Sequence, residues 1–349
     1  MTRFKRWLKR IFALLIVLAT ATAFFYLQWR SETVSRLQNG SDIILTARGP
    51  IEYRSVGQGS AALILHGTLG GYDQALITAH MINSPSLRFL AISRPGYLNS
   101  PLSTGASLHD QVEAYVALLD ALHIEKVALI ATSGGGPYAL EFARLHPERC
   151  WALVLISANT DPTIGYARDL SVRAGDPPDF VTQLVLSDFA GWTGTAAAKW
   201  QPEFFLSRLV GQEDAQAILN DPFRKKLFDE FIDSLALLGQ RREGSLNDAA
   251  QFRAAAYAPF GAVRVPTLVL HGERDRAVPI AQAEYIARII PKAQLIRIPN
   301  GTHWMTVTHA GTLGPTILGF LNANVPNTPN FGGLYEQFPE VAKSRQSEQ

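Results

Sequence analysis

The sequence predicts an α/β fold: a mostly parallel, doubly wound sheet of eight strands, with a helical lid insertion and an N-terminal membrane helix. Three observations carry this. Short apolar runs alternate with segments of helical period up to about residue 158 and again from 267, as expected of a parallel sheet covered on both faces. Between 159 and 260 the alternation stops and the pattern is helical. Residues 127–142 read as a buried strand, a glycine-rich turn and a packed helix.

The elements follow in order. Arg3, Lys5, Arg6, Lys9 and Arg10 precede an uncharged run over 11–28, flanked by Trp7 and Trp29. That run is near the short end of what spans a bilayer, and the flanking aromatics suit the interface. It reads as an uncleaved signal anchor or as a cleaved signal peptide, since Ala19-Thr20-Ala21 and Ala21-Thr22-Ala23 resemble cleavage sites. Phe24, Phe25, Tyr26 and Leu27 continue the run past those sites and favour the anchor. An amphipathic surface helix would need a polar face, which the run lacks. The basic end is expected in the cytoplasm and the main domain outside it, either single-pass or secreted after cleavage. Residues 31–40 read as a polar connector.

Strands are expected at 43–46 and 51–56, with Gly49-Pro50 as the turn between them, then at 61–65 and 87–92. Helices are expected at 72–82 and at 107–122, the latter capped by Ser107. After the strand–turn–helix at 127–142 comes a strand at 151–157. The insertion over 159–260 is rich in Trp and Phe, with breakers at Pro162, Pro177, Pro178, Pro202 and Pro222. Its place late in a parallel sheet suits a cap over the strand ends, where such sheets bind ligands; the alternative is a separate helical unit. Strands at 267–271 and 294–298 and helices at 281–290 and 305–322 complete the pattern. The domains are thus 1–30 (cytoplasmic basic end and anchor), 40–158 with 261–324 (core), 159–260 (lid) and 325–349 (a loose, polar tail).

Composition narrows the function. The 349 residues carry a net charge of +2 without a basic stripe, which argues against nucleic acid as a partner. A single cysteine, Cys150, excludes an internal disulfide and a Cys-rich metal site. His66, His271 and His303 lack metal-ligand spacing, and no cofactor is expected.

Chemistry concentrates at Ala131-Thr132-Ser133-Gly134-Gly135. A strand turning at once into a helix tolerates only small residues around the turn. A serine at its apex stands beside the free N–H groups of the first helical turn. This is a G-x-S-x-G elbow with alanine in the first position; the other reading is a glycine-rich turn that holds a phosphate. A serine nucleophile needs a base, and the base an acid. Asp275 and His303 follow the strands at 267–271 and 294–298, on the same sheet edge, and the order Ser133, Asp275, His303 suits the elbow. Asp161 is the alternative acid. His66 reads as structural, Glu273 as solvated and His309 as a surface or packing residue.

Taken together, HGTLGG at His66, SRPGY at Ser93, the elbow at Ser133, HGERDRAVP at His271 and GTHW at Gly301 resemble the α/β-hydrolase fold superfamily, in its lid-bearing serine hydrolase branch. RREGSLNDAAQF at 241–252 resembles segments of the same branch. The resemblance implies Ser133 as nucleophile, His303 as base, Asp275 as its partner, and an oxyanion hole from the N–H of Gly134 and of Thr68 or Leu69. It implies an ester-type small-molecule acyl substrate (carboxylic ester, lactone or thioester). Acyl transfer, carbon–carbon bond hydrolysis, perhydrolysis and non-catalytic ligand binding stay open on the same scaffold. Ser133, rather than aspartate, argues against dehalogenase and epoxide hydrolase chemistry. Relatives often have aspartate where Ser93 stands, so a structural hydrogen bond is expected to be lost there.

Overall fold

The computed structural model describes residues 2–161, 179–254 and 259–326. Pro162, Pro177, Pro178 and the expected tail beyond Pro326 lie outside the described residues.

Eight strands form one sheet: β1 (Asp42–Thr46), β2 (Gly49–Val56), β3 (Ser60–Leu65), β4 (Leu87–Ile92), β5 (Val127–Thr132), β6 (Cys150–Ile156), β7 (Thr267–Gly272) and β8 (Ala293–Ile298). Their order is β1-β2-β4-β3-β5-β6-β7-β8. β1 pairs antiparallel with β2, and β2 with β4; every later pairing is parallel.

The continuous apolar runs are resolved by the two-residue period of a strand. Ala62, Ile64, Ala128, Ile130, Val154 and Leu268 join one buried cluster, whereas Leu63, Leu65, Leu129, Ala131, Leu155 and Val269 join another. Helices Tyr72–Ile82 and Ala310–Asn324 cover the first face, and Leu108–Ala121, Gly136–Leu145 and Ala281–Ile289 the second. Each fully buried aliphatic side chain contributes roughly 1.5–3 kcal/mol, so both faces need their helices. Edge strands β1 and β8 are largely exposed instead.

The turn between β1 and β2 is Ala47-Arg48, not Gly49-Pro50. Gly49 and Pro50 open β2 opposite Thr46 and Leu45. Thr46 Oγ1 donates to the Gly49 carbonyl at 2.7 Å and accepts from Arg48 N–H at 3.1 Å, which closes the turn two residues earlier.

The expected connector over 31–40 is also overturned. One helix runs from Thr2 to Asn39, and it is long and apolar enough to cross a membrane. At about 1.5 Å per residue it is roughly 57 Å long, well beyond a bilayer's hydrocarbon core of about 30 Å. Its last turns stay helical because Tyr26, Trp29, Thr33 and Leu37 fall on one stripe, and that stripe is at least partly buried. Leu37 packs with Tyr72 and Leu237. Its carbonyl accepts from the Tyr72 hydroxyl at 2.7 Å.

Within the insertion the described helices are Phe180–Val185, Asp188–Trp200, Pro202–Val210, Gln212–Asn220, Pro222–Ser234 and Arg242–Ala254. Arg241, fully buried, grips Asp73 with both terminal nitrogens at 3.0 and 2.8 Å. The insertion is thereby tied to helix Tyr72–Ile82.

Candidate active site

β5 delivers Ser133 at φ 48°, in the left-handed region, between the strand and helix Gly136–Leu145. The glycines are needed by close approach. A Cβ on Gly134 would strike the Thr68 hydroxyl, and one on Gly135 would stand 2.6 Å from the Leu65 carbonyl oxygen. Ala131, where the elbow pattern has its first glycine, is a fully buried β5 residue opposite Leu155.

Ser133, His303 and Asp275 form one hydrogen-bonded chain. His303 Nε2 lies 3.1 Å from Ser133 Oγ, and His303 Nδ1 lies 2.8 Å from Asp275 Oδ2. Asp275 Oδ1 accepts from the N–H groups of Ala277 at 2.9 Å and Val278 at 2.8 Å. Burial of Asp275 opposes its charge. The His303 hydrogen bond and charge, with the Val278 N–H, outweigh it and hold the carboxyl below the usual aspartate range. Asp275 presents its other oxygen to Nδ1, which therefore carries the proton and leaves Nε2 free to accept from Ser133.

Asp161 stands elsewhere: its N–H donates to Gln282 Oε1 at 3.2 Å. Glu273 is exposed, as expected of a solvated residue. His309 stands between helices Met305–Thr308 and Ala310–Asn324, so the single helix expected at 305–322 is two. Among the described residues no cluster of three or more His, Cys, Asp or Glu is placed to hold a metal ion.

Thr68 and Leu69 line one cavity of about 220 Å³ with Ser133, His303 and Trp304. A Cβ on Gly134 would stand 3.0 Å from Thr68 N, so the loop at Thr68 packs closely against the turn at Gly134. A larger, polar cleft of about 880 Å³ reaches His303 past Arg274, Arg276 and Asp214 but does not include Ser133. The smaller cavity is the one that can place a carbonyl on the serine.

The insertion contributes Phe231 and Leu235 to that cavity. Trp304 stacks edge-on against Phe231, with centroids 4.6 Å apart. The sequence marks Phe231 among the insertion's aromatics and Trp304 within GTHW, but not that the two meet, because they lie far apart in the chain.

A buried ionic network, also missed, holds the loop that carries Thr68. Asp248 Oδ1 accepts from Arg94 at 2.8 Å and from the Tyr138 hydroxyl at 2.8 Å. Asp248 Oδ2 accepts from Arg94 and Tyr97 at 2.6 Å each, and from Thr68 Oγ1 at 3.1 Å. Arg94 N–H donates to His66 Nε2 at 3.0 Å, so His66 carries its proton on Nδ1, facing the Gly67 carbonyl at 2.6 Å. Burial, then the Arg94 charge, push His66 well below the usual histidine range. It therefore stays neutral in the fold while the unfolded chain protonates. Stability is thus expected to fall as pH drops below about 6.5, the unfolded value, and the His66→Gln protein should lose part of that slope. Urea denaturation midpoints across that pH range measure it.

The hydrogen bond expected to be lost at Ser93 is present in another form. Ser93 Oγ accepts from Tyr72 N–H at 3.0 Å and donates to Glu52 Oε2 at 2.7 Å. Glu52, fully buried in β2, supplies the carboxylate from the neighbouring strand.

Comparison with known proteins agrees with this architecture. The sequence profile of the alpha/beta hydrolase fold matches residues 63–310. The chain is 29% identical over 290 residues to the uncharacterized hydrolase YcgS of Bacillus subtilis (strain 168), covering 79% of this chain and 96% of YcgS. It is 26% identical over 287 residues to a 2-hydroxymuconate semialdehyde hydrolase of Pseudomonas putida, covering 80% and 92%. An alpha/beta hydrolase fold protein from Nakamurella multipartita superposes with a TM-score of 0.72 at 28% identity, covering 81% of this chain and 99% of that one. The chain belongs to the α/β-hydrolase fold family.

Proposed function

We propose that this chain is a serine hydrolase that cleaves an ester-type small molecule (carboxylic ester, lactone or thioester) through an acyl-enzyme on Ser133. The observation that carries this reading is His303, placed between Ser133 Oγ at 3.1 Å and Asp275 Oδ2 at 2.8 Å. His303 Nε2 takes the Ser133 proton as Oγ attacks the carbonyl carbon. The N–H groups of Gly134 and of Thr68 or Leu69 receive the developing oxyanion. His303 then gives its proton to the leaving alcohol or thiol, and water enters by the same steps in reverse order. Asp275 stays ionised and steadies the imidazolium.

The domain reading that accompanies this function has a core over 40–158 and 261–324 and a lid over 159–260, with the N-terminal helix as a single-pass anchor. The catalytic domain is then extracytoplasmic; the alternative is secretion after cleavage. The hydrolase activity named for the Pseudomonas relative supports hydrolysis over transfer or simple binding.

The test is intact mass after a fluorophosphonate probe. One adduct on the wild type, absent from the Ser133→Ala protein, is expected. A folded wild type that takes no adduct and leaves short esters untouched would sink the mechanism.

A further inference from the structure

The N-terminal helix does not merely tether the domain; it grips the insertion. Tyr26 packs against Phe189 and Trp192 with ring centroids 5.6 Å apart in each case, and Trp29 lies 6.5 Å from Trp192. Arg30 Nε pairs with Asp188 Oδ2 at 2.9 Å, while Asp188 Oδ1 accepts from Gly239 N–H at 2.9 Å. The helix is unbroken from the apolar run to these contacts, so its position in a membrane also sets the height of helix Asp188–Trp200.

That height can be read off the sequence. Tyr26 lies inside the uncharged run over 11–28, about 3 Å of helix rise short of its end. The run spans roughly 27 Å as a helix, close to the thickness of a hydrocarbon core. If the run crosses the bilayer, Phe189 stands where acyl chains meet headgroups. Helix Phe180–Val185, just before it, carries Phe180, Val181, Leu184 and Val185, which are 79, 65, 52 and 55% exposed. Such a contiguous apolar face needs a partner, and the adjoining anchor specifies which one.

Helix Asp188–Trp200 lines a second cavity of about 260 Å³ with Gly191, Thr195 and Ala198. This cavity shares Phe231, Leu235 and Trp304 with the cavity that holds Ser133. Helix Asp188–Trp200 therefore carries Phe189 at the bilayer level and also lines an apolar chamber that adjoins the serine's cavity across those shared walls.

We propose that the exposed apolar face over 180–189 is immersed in the lipid interface beside the anchor, and that the chamber beneath helix Asp188–Trp200 receives the acyl chain of a membrane-resident ester. The substrate class rests on the serine hydrolase reading; the immersion does not.

The test uses the full chain in phosphatidylcholine–phosphatidylglycerol vesicles. A reporter cysteine carrying an environment-sensitive fluorophore is placed at Leu18, Leu184 or Lys292; the native Cys150 is buried. Lys292 is exposed at the amino end of β8, on the sheet edge away from the site. Nitroxide-labelled lipid is expected to quench the probes at 18 and 184 but not at 292. Quenching at 18 with position 184 behaving like 292 would overturn the immersion and leave the anchor standing. No quenching at 18 would remove the anchor and the proposal with it. In the Val181→Asp/Leu184→Asp protein, turnover of a long-chain ester in the vesicles, relative to a short soluble ester, should fall about tenfold. An unchanged ratio would overturn the substrate assignment. Fluorophosphonate labelling of the same preparation reports on Ser133 separately, so a loss of the serine mechanism is told apart from a loss of membrane delivery.

Discussion

Replacing His303 by alanine is expected to lower kcat/KM on a short-chain ester by about ten-thousandfold or more, and Ser133→Ala by a comparable factor. In the proposed mechanism the two side chains act as one unit. Without the imidazole, Ser133 keeps its proton and is a poor nucleophile; without the hydroxyl, the imidazole has nothing to activate. The double variant should therefore be no worse than the poorer single one, since on the proposed mechanism the residual rate comes from the N–H groups of Gly134 and of Thr68 or Leu69 and from binding. Asp275→Asn should also cost on the order of ten-thousandfold, because an amide facing Nδ1 favours the wrong tautomer. Additive losses in the double variant would mean that the two side chains do not share a proton transfer. These residues are assembled from three junctions at the carboxyl end of the sheet. Melting temperatures should show that the variants stay folded, since Ser133 and His303 are part-buried and neither belongs to the two core clusters.

The second large effect is one of stability. Asp248→Ala is expected to cost about 3–5 kcal/mol in urea denaturation, because it strands the Arg94 guanidinium in the core. The Arg94 and Asp248 side chains are 0 and 1% exposed. Arg94 stays charged even against burial, because the Asp248 carboxylate raises its pKa well above the usual arginine value. Surface pairs set the contrast: Lys225→Ala, which breaks a half-exposed helical pair with Asp229, should cost no more than about 1 kcal/mol. Replacing both buried partners by leucine and methionine should recover much of the loss, because the unpaired charge then disappears. On the proposed mechanism it should not recover turnover, since Thr68 also donates to Asp248 and the proposed oxyanion N–H comes from Thr68 or Leu69 of the same loop. A loss below about 1 kcal/mol for Asp248→Ala would show that water reaches Arg94 and that the network holds nothing in place.

Several elements were legible in the sequence because their signals are local. The buried strands announce themselves as apolar runs. The Ser133 turn shows through its glycines, since no larger residue fits against Thr68 and Leu65. The helix cap at Ser107 needs only its own neighbours, with Ser107 Oγ accepting from Asp110 N–H at 3.0 Å. The turn at Gly49-Pro50 was misread because glycine and proline favour turns in isolation, yet here Thr46 closes the chain two residues earlier. The helix over 31–39 was missed because its stripe of Tyr26, Trp29, Thr33 and Leu37 is thin and mixed. It becomes hydrophobic burial only when the insertion and Tyr72 supply the other surface.

By itself, then, the sequence determined the class of fold, the strand–turn–helix at Ser133 and the order in which Ser133, Asp275 and His303 occur. Periodicity, steric crowding and chain order act over short ranges, or follow from topology. Only the tertiary structure decided that Asp275 rather than Asp161 faces His303, that Glu52 supplies the carboxylate for Ser93, and that Asp248 anchors Thr68 through a network closed across 154 residues of chain to Arg94. Such pairings depend on which side chains share a buried, low-dielectric space. That is settled by packing of the whole sheet and its insertion, and no window of sequence contains it.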